Sequence, residues 1–310
     1  MTDPVPCRWL HYWSVLTVCA TFVLLGLGSI VTNMQAGMAD KVWPTAPTAM
    51  LGFSPEQYRD RLFVIEHSHR LAGYIVGVCA IVLAAGLWLR EPRRWVRWVG
   101  TAALVGVCIQ GLFGGLRVLQ HATWGLEFRI IHGSFAPVVL GLLMIVAVAT
   151  SRAWHGIAED TTRLRRGSRH VLVAVYAQIV LGVLLRHTYS PWAQRAHLLT
   201  AFIAAIGAVW LVRLAWVHGD RSLRRAAVAL ACVVGLQISL GVEVWMAQFS
   251  HFTWPESLPM TPYRIAIRTA HVLGGSLLLS ATLAVGVLAR RRFVSAARPT
   301  VAGAHLEEAA

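Results

Sequence analysis

Residues Phe63–Leu89, FVIEHSHRLAGYIVGVCAIVLAAGLWL, decide the fold. The run lies between Arg61 and Arg90, and after its polar opening it carries no charge before Arg90. It is longer than the about 20 residues a helix needs to cross a hydrocarbon core of about 30 Å. Seven further runs of the same kind follow outward from it, at roughly 13–31, 98–118, 128–150, 170–186, 194–217, 227–247 and 264–289. The fifth span, 170–186, reads as the shortest. Over 310 residues the chain is 56% hydrophobic and only 14% charged, too apolar for soluble domains of that length. The expected fold class is an all-α membrane protein with eight transmembrane helices, because a bilayer admits only elements that satisfy their own backbone.

The formal net charge of +14 does not point to nucleic acid, and no nucleic-acid partner is expected. A basic groove spreads its charge over one water-facing surface, whereas these arginines sit in short clusters between apolar runs. The clusters at Arg90–Arg97, Arg152–Arg169, Arg221–Arg225 and Arg290–Arg292 all fall on one side of the membrane. Cytoplasmic flanks collect such residues, so both termini are expected in the cytoplasm and the protein in the cell inner membrane, solvated by lipid. The run at 13–31 follows Arg8 but is long and has no convincing cleavage site after it, which makes it the first span rather than a signal peptide. Cys7, Cys19, Cys79, Cys108 and Cys232 form no CxxC and none falls in an outer loop, so neither a disulfide nor a structural zinc site is expected.

The two halves of the chain resemble one another. Gln110-Gly-Leu-Phe-Gly-Gly in the third span, Gln237-Ile-Ser-Leu-Gly-Val in the seventh and Gln178-Ile-Val-Leu-Gly-Val in the fifth share one pattern. The distance from His69 to Gln110 nearly equals that from His197 to Gln237. This predicts two pseudo-symmetric four-helix bundles, at 1–150 and 170–292, joined by a cytoplasmic linker at 151–169 and followed by a cytoplasmic tail at 293–310.

Four of the thirteen histidines stand apart. His69, His132, His197 and His271 lie near the start of the second, fourth, sixth and eighth spans, all running from outside to inside, so they share one depth. In an up-down bundle the second and fourth helices face each other diagonally, which lets His69 oppose His132 and His197 oppose His271. Two imidazoles on facing helices are the usual axial pair of a six-coordinate haem. One such histidine alone is ordinarily a packing residue bonded to a neighbouring helix; four at one depth, two per repeat, reverse that reading, since intramembrane ionisable groups are costly. Zinc favours tetrahedral sets with thiolate, absent here. Small residues near the ligands, as in Gly133-Ser134 and Gly274-Gly275-Ser276, suit either close helix packing or the approach of a flat macrocycle. Arg70, Arg117, Arg129, Arg195 and Arg268 near the outer ends suit either haem propionates or interfacial snorkelling.

Glu66 lies one turn before His69 on the same helical face. Its counterparts in the other half are Gln194 before His197 and Arg268 before His271. A carboxylate at the edge of an apolar site can act as a base, which would make the N-terminal haem the reactant and the C-terminal one the electron carrier; the alternative is a simple pair with Arg70. His67 is turned about 100° from that face and is not expected to be a ligand.

The stretch Glu66-His67-Ser68-His69-Arg70-Leu71-Ala72-Gly73 resembles the Glu-x-x-His-Arg pattern in the second helix of the haem A synthase family. Gly28-Ser-Ile-Val-Thr32, Ala36-Gly37, Trp43-Pro44, Gln110 to Gly115, Ile131-His132-Gly133, Arg195-Ala-His197 and Arg268-Thr-Ala-His271 continue the likeness. The resemblance implies oxidation of the C8 methyl of haem O to a formyl group through hydroxylated intermediates. It implies that His69 and His132 flank the substrate haem, that Glu66 is catalytic, and that His197 and His271 hold the iron of a haem b. Haem O synthase and cytochrome oxidase assembly factors are the partners it implies. Many relatives carry a cysteine pair in the first outer loop, and residues 32–62 contain none. A di-haem b-type electron carrier without chemistry on the macrocycle is the competing reading; a haem or quinone transporter is disfavoured, because two fixed histidines would hold the cargo tightly.

Overall fold

The computed structural model describes residues 7–40, 43, 54–155, 161–218, 220–249 and 259–290. Among these, eight helices are long and apolar enough to cross a membrane. They are α1 (Arg8–Asn33), α3 (Arg61–Arg90), α4 (Arg94–Leu119), α5 (His121–Ala149), α6 (Thr162–Thr188), α7 (Pro191–His218), α8 (Arg221–Phe249) and α9 (Pro262–Leu288); a short α2 (Pro55–Arg59) precedes the second span. No strand occurs among the described residues. The protein is an all-α, multi-pass membrane protein.

The helices outrun the apolar stretches that mark them in the sequence. The fifth span, expected as the shortest, is a helix of 27 residues, longer than α1 and α4 at 26 each. Its first two turns carry Arg163, Arg165, Arg166 and Arg169, which the hydrocarbon excludes but a helix tolerates once it emerges into the interface. Of the linker expected at 151–169, residues Arg152–His155 form a 3₁₀ turn and the segment from Thr162 onward already belongs to α6. The tail at 293–310, Arg291 and Arg292, and most of the fourth outer loop lie outside the described residues.

Local chemistry sets the outer helix starts. Ser54 and Gln57 form a reciprocal capping box on α2. The backbone amides of that first turn, and then the Ser54 hydroxyl, hold the exposed Glu56 carboxyl below the ordinary glutamate value. Asp60 accepts from the amides of Leu62 and Phe63 and so starts α3, while Thr261 accepts from the amide of Arg264 to start α9. A backbone break at Trp124 lets α5 begin early and then bend into the bundle.

In the first half α1 packs on α3, α3 on α4, α4 on α5 and α5 back on α1, a closed ring that leaves α3 and α5 diagonal. In the second half α6, α7, α8 and α9 close a ring in the same way, with α7 and α9 diagonal. The halves meet where α5 and α1 pack on α9 and α5 packs on α6. Leu10, Leu83, Leu87, Val96 and Leu143 form the core of the first ring, and Leu164, Leu211, Leu223, Leu230 and Val285 that of the second. Large apolar side chains such as Leu199, Phe202, Ile206 and Val209 point outward, the arrangement of a surface whose solvent is lipid.

Candidate functional site

Each of the four level histidines rests on a glycine of the neighbouring odd-numbered span. A Cβ placed on Gly28 of α1 would come within 2.8 Å of His69 Cε1, and one on Gly182 of α6 within 2.9 Å of His197 Cε1. For the second histidine of each diagonal the corresponding approaches are 3.6 Å from Gly114 of α4 to His132 and 3.2 Å from Gly241 of α8 to His271. Any side chain at Gly28 or Gly182 would therefore displace the ring. The sockets repeat through both halves: α1 and α6 seat the histidines of α3 and α7, and α4 and α8 seat those of α5 and α9.

Four residues before three of these glycines stands a glutamine. Gln110 Nε2 donates to the carbonyl of His132 at 3.1 Å, and Gln178 Nε2 to the carbonyl of His197 at 2.8 Å. Gln237 instead turns its amide to the ring of His271, 3.2 Å from Nδ1. Leu24 occupies the fourth position. In sequence the three glutamines read only as a sign of duplication; their seating of the histidines needed the helix pairing, which periodicity does not give.

The second pair suits an iron between its rings. The rings of His197 and His271 lie 6.3 Å apart between centroids and nearly perpendicular. Two metal–imidazole bonds of about 2.0 Å, with roughly 1 Å more from each nitrogen to its ring centre, span about the same distance. Among the described residues no group of three or more His, Cys, Asp or Glu side chains is placed to hold a metal ion. In the first half, His69 Nδ1 and His132 Nδ1 are buried without a hydrogen-bond partner.

Glu66 is buried at 3% exposure. It accepts from Arg70 Nη2 at 2.8 Å and from the backbone amide of Asp40 at 2.8 Å. Asp40 in turn pairs with Arg70 at 2.9 Å and lies 3.5 Å from Nδ1 of the buried His67. The pair with Arg70 weighed as the alternative for Glu66 thus forms, within a four-residue network that contains the first outer loop. Asp40 is the member that sequence reasoning missed. It sits in a long loop with no periodicity to place it, and only its position just after Ala36-Gly37 hinted at a packed segment. Trp43 from the same loop lies against Gly115 of α4.

The remaining cations are distributed unevenly. Arg117 lies over Gly37 with its Nε buried and unpartnered, and within electrostatic reach of Glu66, Arg70 and Arg129. Arg129 donates from Nε to the carbonyl of Gly125, one turn back. Arg268 touches the sulfur of Met260 at 3.8 Å. Arg195 is exposed and is not brought to this group. Arg186 reaches across the halves: it donates to the carbonyl of Ser29 at 2.8 Å, to its hydroxyl at 3.2 Å and to Asn33 Oδ1 at 3.3 Å. Around His187 the field of Arg117, Arg129, Arg186 and Arg268 adds up, an excess of positive charge that suits carboxylate groups of a bound molecule.

No family model matches the chain. Among curated proteins it is similar to a haem A synthase of Geobacillus kaustophilus (strain HTA426), 26% identical over 251 residues that cover 71% of this chain and 74% of that protein. A haem A synthase of Listeria monocytogenes serotype 4a (strain HCC23) is 28% identical over 289 residues, covering 77% of this chain and 89% of its own length. One of Lysinibacillus sphaericus (strain C3-41) is 26% identical over 282 residues, covering 78% and 87%.

Proposed function

We propose, from the chain's kinship with the haem A synthase family, that it is an enzyme of haem A biosynthesis, an oxidoreductase that converts the C8 methyl of haem O to a formyl group through hydroxylated intermediates. The observation that carries the reading is the set of four glycine-seated histidines, arranged as two diagonal pairs, with a buried carboxylate beside only one of them. In this reading His69 and His132 hold the iron of the substrate haem O. His197 and His271 hold a haem b, which supplies an electron-transfer centre when bound.

The residues around the first pair then have distinct tasks. Arg70 and the Asp40 amide hold the Glu66 carboxylate in place, so that it meets the substrate without rearrangement. Oxidation of a methyl group releases protons, and Glu66 is the group that takes them up. Arg117, with a buried donor still free, is the principal propionate partner, seconded by Arg70 and Arg129; Arg268 serves the second haem. Trp43, packed against Gly115, limits water at the first ring. Haem O synthase is the natural source of substrate, and cytochrome oxidase assembly factors the natural recipients of the product. The protein then sits in the cytoplasmic membrane with both termini inside and its haem sites near the outer face. Division into bundles at 1–150 and 170–292 follows the same proposal, one bundle per haem.

Co-expression with haem O synthase, followed by mass analysis of the extracted haems, tests the reading. Hydroxylated and formyl haem are expected; a folded, haem-loaded protein yielding neither would overturn it. The engagement of Glu66 by Arg70 favours one competitor, a non-catalytic di-haem b-type electron carrier. That reading requires both haems to be ordinary protohaem and Glu66→Gln to be without effect.

A further inference from the structure

The seam between the halves holds a buried cation whose hydrogen-bond partners are all neutral, and the role inferred for it rests on the haem-binding reading above. Arg186 Nη2 donates to the carbonyl of Ser29 at 2.8 Å, to the Ser29 hydroxyl at 3.2 Å and to Asn33 Oδ1 at 3.3 Å. Ser29 and Asn33 are both buried. Asn33 is held in turn by α9, its Nδ2 donating to Thr269 Oγ1 at 3.1 Å. Arg186 Nε is buried with no hydrogen-bond partner. Among the described residues the carboxylates in ion pairs are Asp40, Glu66 and Glu91, and none of them pairs with Arg186. Arg268, within electrostatic reach, carries the same sign. A buried charge without an opposite partner is costly, and inside a membrane protein such a group points to function.

The place of this charge relates it to both histidine pairs. Along α6, Arg186 stands one turn beyond Gly182, which seats His197. Across the seam its guanidinium rests on Ser29, the residue after Gly28, which seats His69. Thr269, at the far end of the same chain of hydrogen bonds, is two residues before His271. Arg129 and Arg268 spend their printed hydrogen bonds within their own halves, whereas Arg186 bonds from one half to the other. We propose that Arg186 is a redox-tuning residue shared by the two haem sites: its fixed positive charge acts on the haem of each half and raises both reduction potentials together. A nearby cation stabilises an electron added to iron, and a low dielectric lengthens its reach. Because one charge serves both sites, the difference between the two potentials, which sets the direction of electron exchange between the halves, is left nearly as it was.

Potentiometric titration of the purified full chain, loaded with haem b and haem O, tests this. Arg186→Gln removes the charge, Arg186→Lys keeps it, and Asn33→Asp sets a carboxylate against it. The first and third are expected to lower both potentials, and the second to leave both near the parent. A unit charge acting over about 10 Å at an effective dielectric of about 20 changes the ratio of reduced to oxidised haem by about tenfold, or about 59 mV for one electron. Asn33→Leu breaks the same hydrogen bonds as Asn33→Asp without adding charge and is expected to leave the potentials in place, which tells charge from packing. Asn33→Asp retains the guanidinium and keeps the test open should Arg186→Gln fold poorly. Potentials that stay, a shift confined to one haem, an equal fall in Arg186→Lys and Arg186→Gln, or an equal fall in Asn33→Leu and Asn33→Asp overturn the proposal. Optical and paramagnetic spectra of the parent separate the two levels. Absence of two bis-histidine haems there would overturn the ligand assignment itself, whereas two such haems with unmoved potentials overturn the role of Arg186 alone.

Discussion

Glu66 is the residue on which chemistry and mere electron transfer divide. Its carboxylate is buried, fixed by Arg70 and by the Asp40 amide, and one turn from His69. Removing its charge while keeping its shape should spare binding and remove the proton acceptor. Glu66→Gln is therefore expected to lower the yield of oxidised haem by 10²–10⁴-fold, the usual contribution of a positioned acid or base, with the haem content of the purified protein unchanged. Extracted-haem analysis against total haem by pyridine haemochrome reads both quantities; an unaltered ratio of oxidised haem to haem O would assign Glu66 to structure alone. The sequence made Glu66 visible through its one-turn offset from His69 and its lack of a counterpart in the second half. Asp40 stayed invisible, because a loop residue acquires its partners only when the chain around it is folded.

At the scale of helices, the glycine sockets make the two halves separately addressable. Gly28→Val places a branched side chain where His69 lies, and Gly182→Val does the same to His197. Overpacking of this kind costs about 1–3 kcal/mol, and the imidazole is the group that gives way. Each variant is expected to lose haem from its own half and keep it in the other, which haem-to-protein stoichiometry and optical spectra would record; loss from both halves, or from neither, contradicts the socket description. Eight spans were legible because lipid solvation demands length and apolarity, both local properties of the sequence. The expectation that the four histidines share one depth rests on span direction alone. Helix ends were not legible: the arginine-bearing turns of α6 continue the helix past the apolar run, since backbone hydrogen bonding does not stop where hydrocarbon does. The pairing of Gln237 with a ring, and of its two relatives with main chain, depends on how far each helix is rotated, which periodicity leaves open.

At the scale of the molecule, Arg186 joins the halves. It crosses from α6 to Ser29 and Asn33 of α1, between the socket glycines Gly28 and Gly182 of the two sites. Hydrogen bonds from a charged donor each contribute about 1.5–3 kcal/mol when buried. Arg186→Met is expected to lower stability in detergent by about 2–4 kcal/mol, seen as a lower midpoint of thermal unfolding, with both histidine pairs still able to bind haem. An unchanged midpoint would mean that the packing of α5 and α1 on α9 and of α5 on α6 alone holds the halves together. The same whole-molecule arrangement, two rings with a histidine pair in each, makes the central assignment directly measurable. Purified His69→Ala, His132→Ala, His197→Ala and His271→Ala variants, compared by optical and paramagnetic spectra, should each lose bis-histidine ligation in one half only, the first two at the substrate site and the last two at the haem b. Bis-histidine signals unchanged in all four would contradict the account.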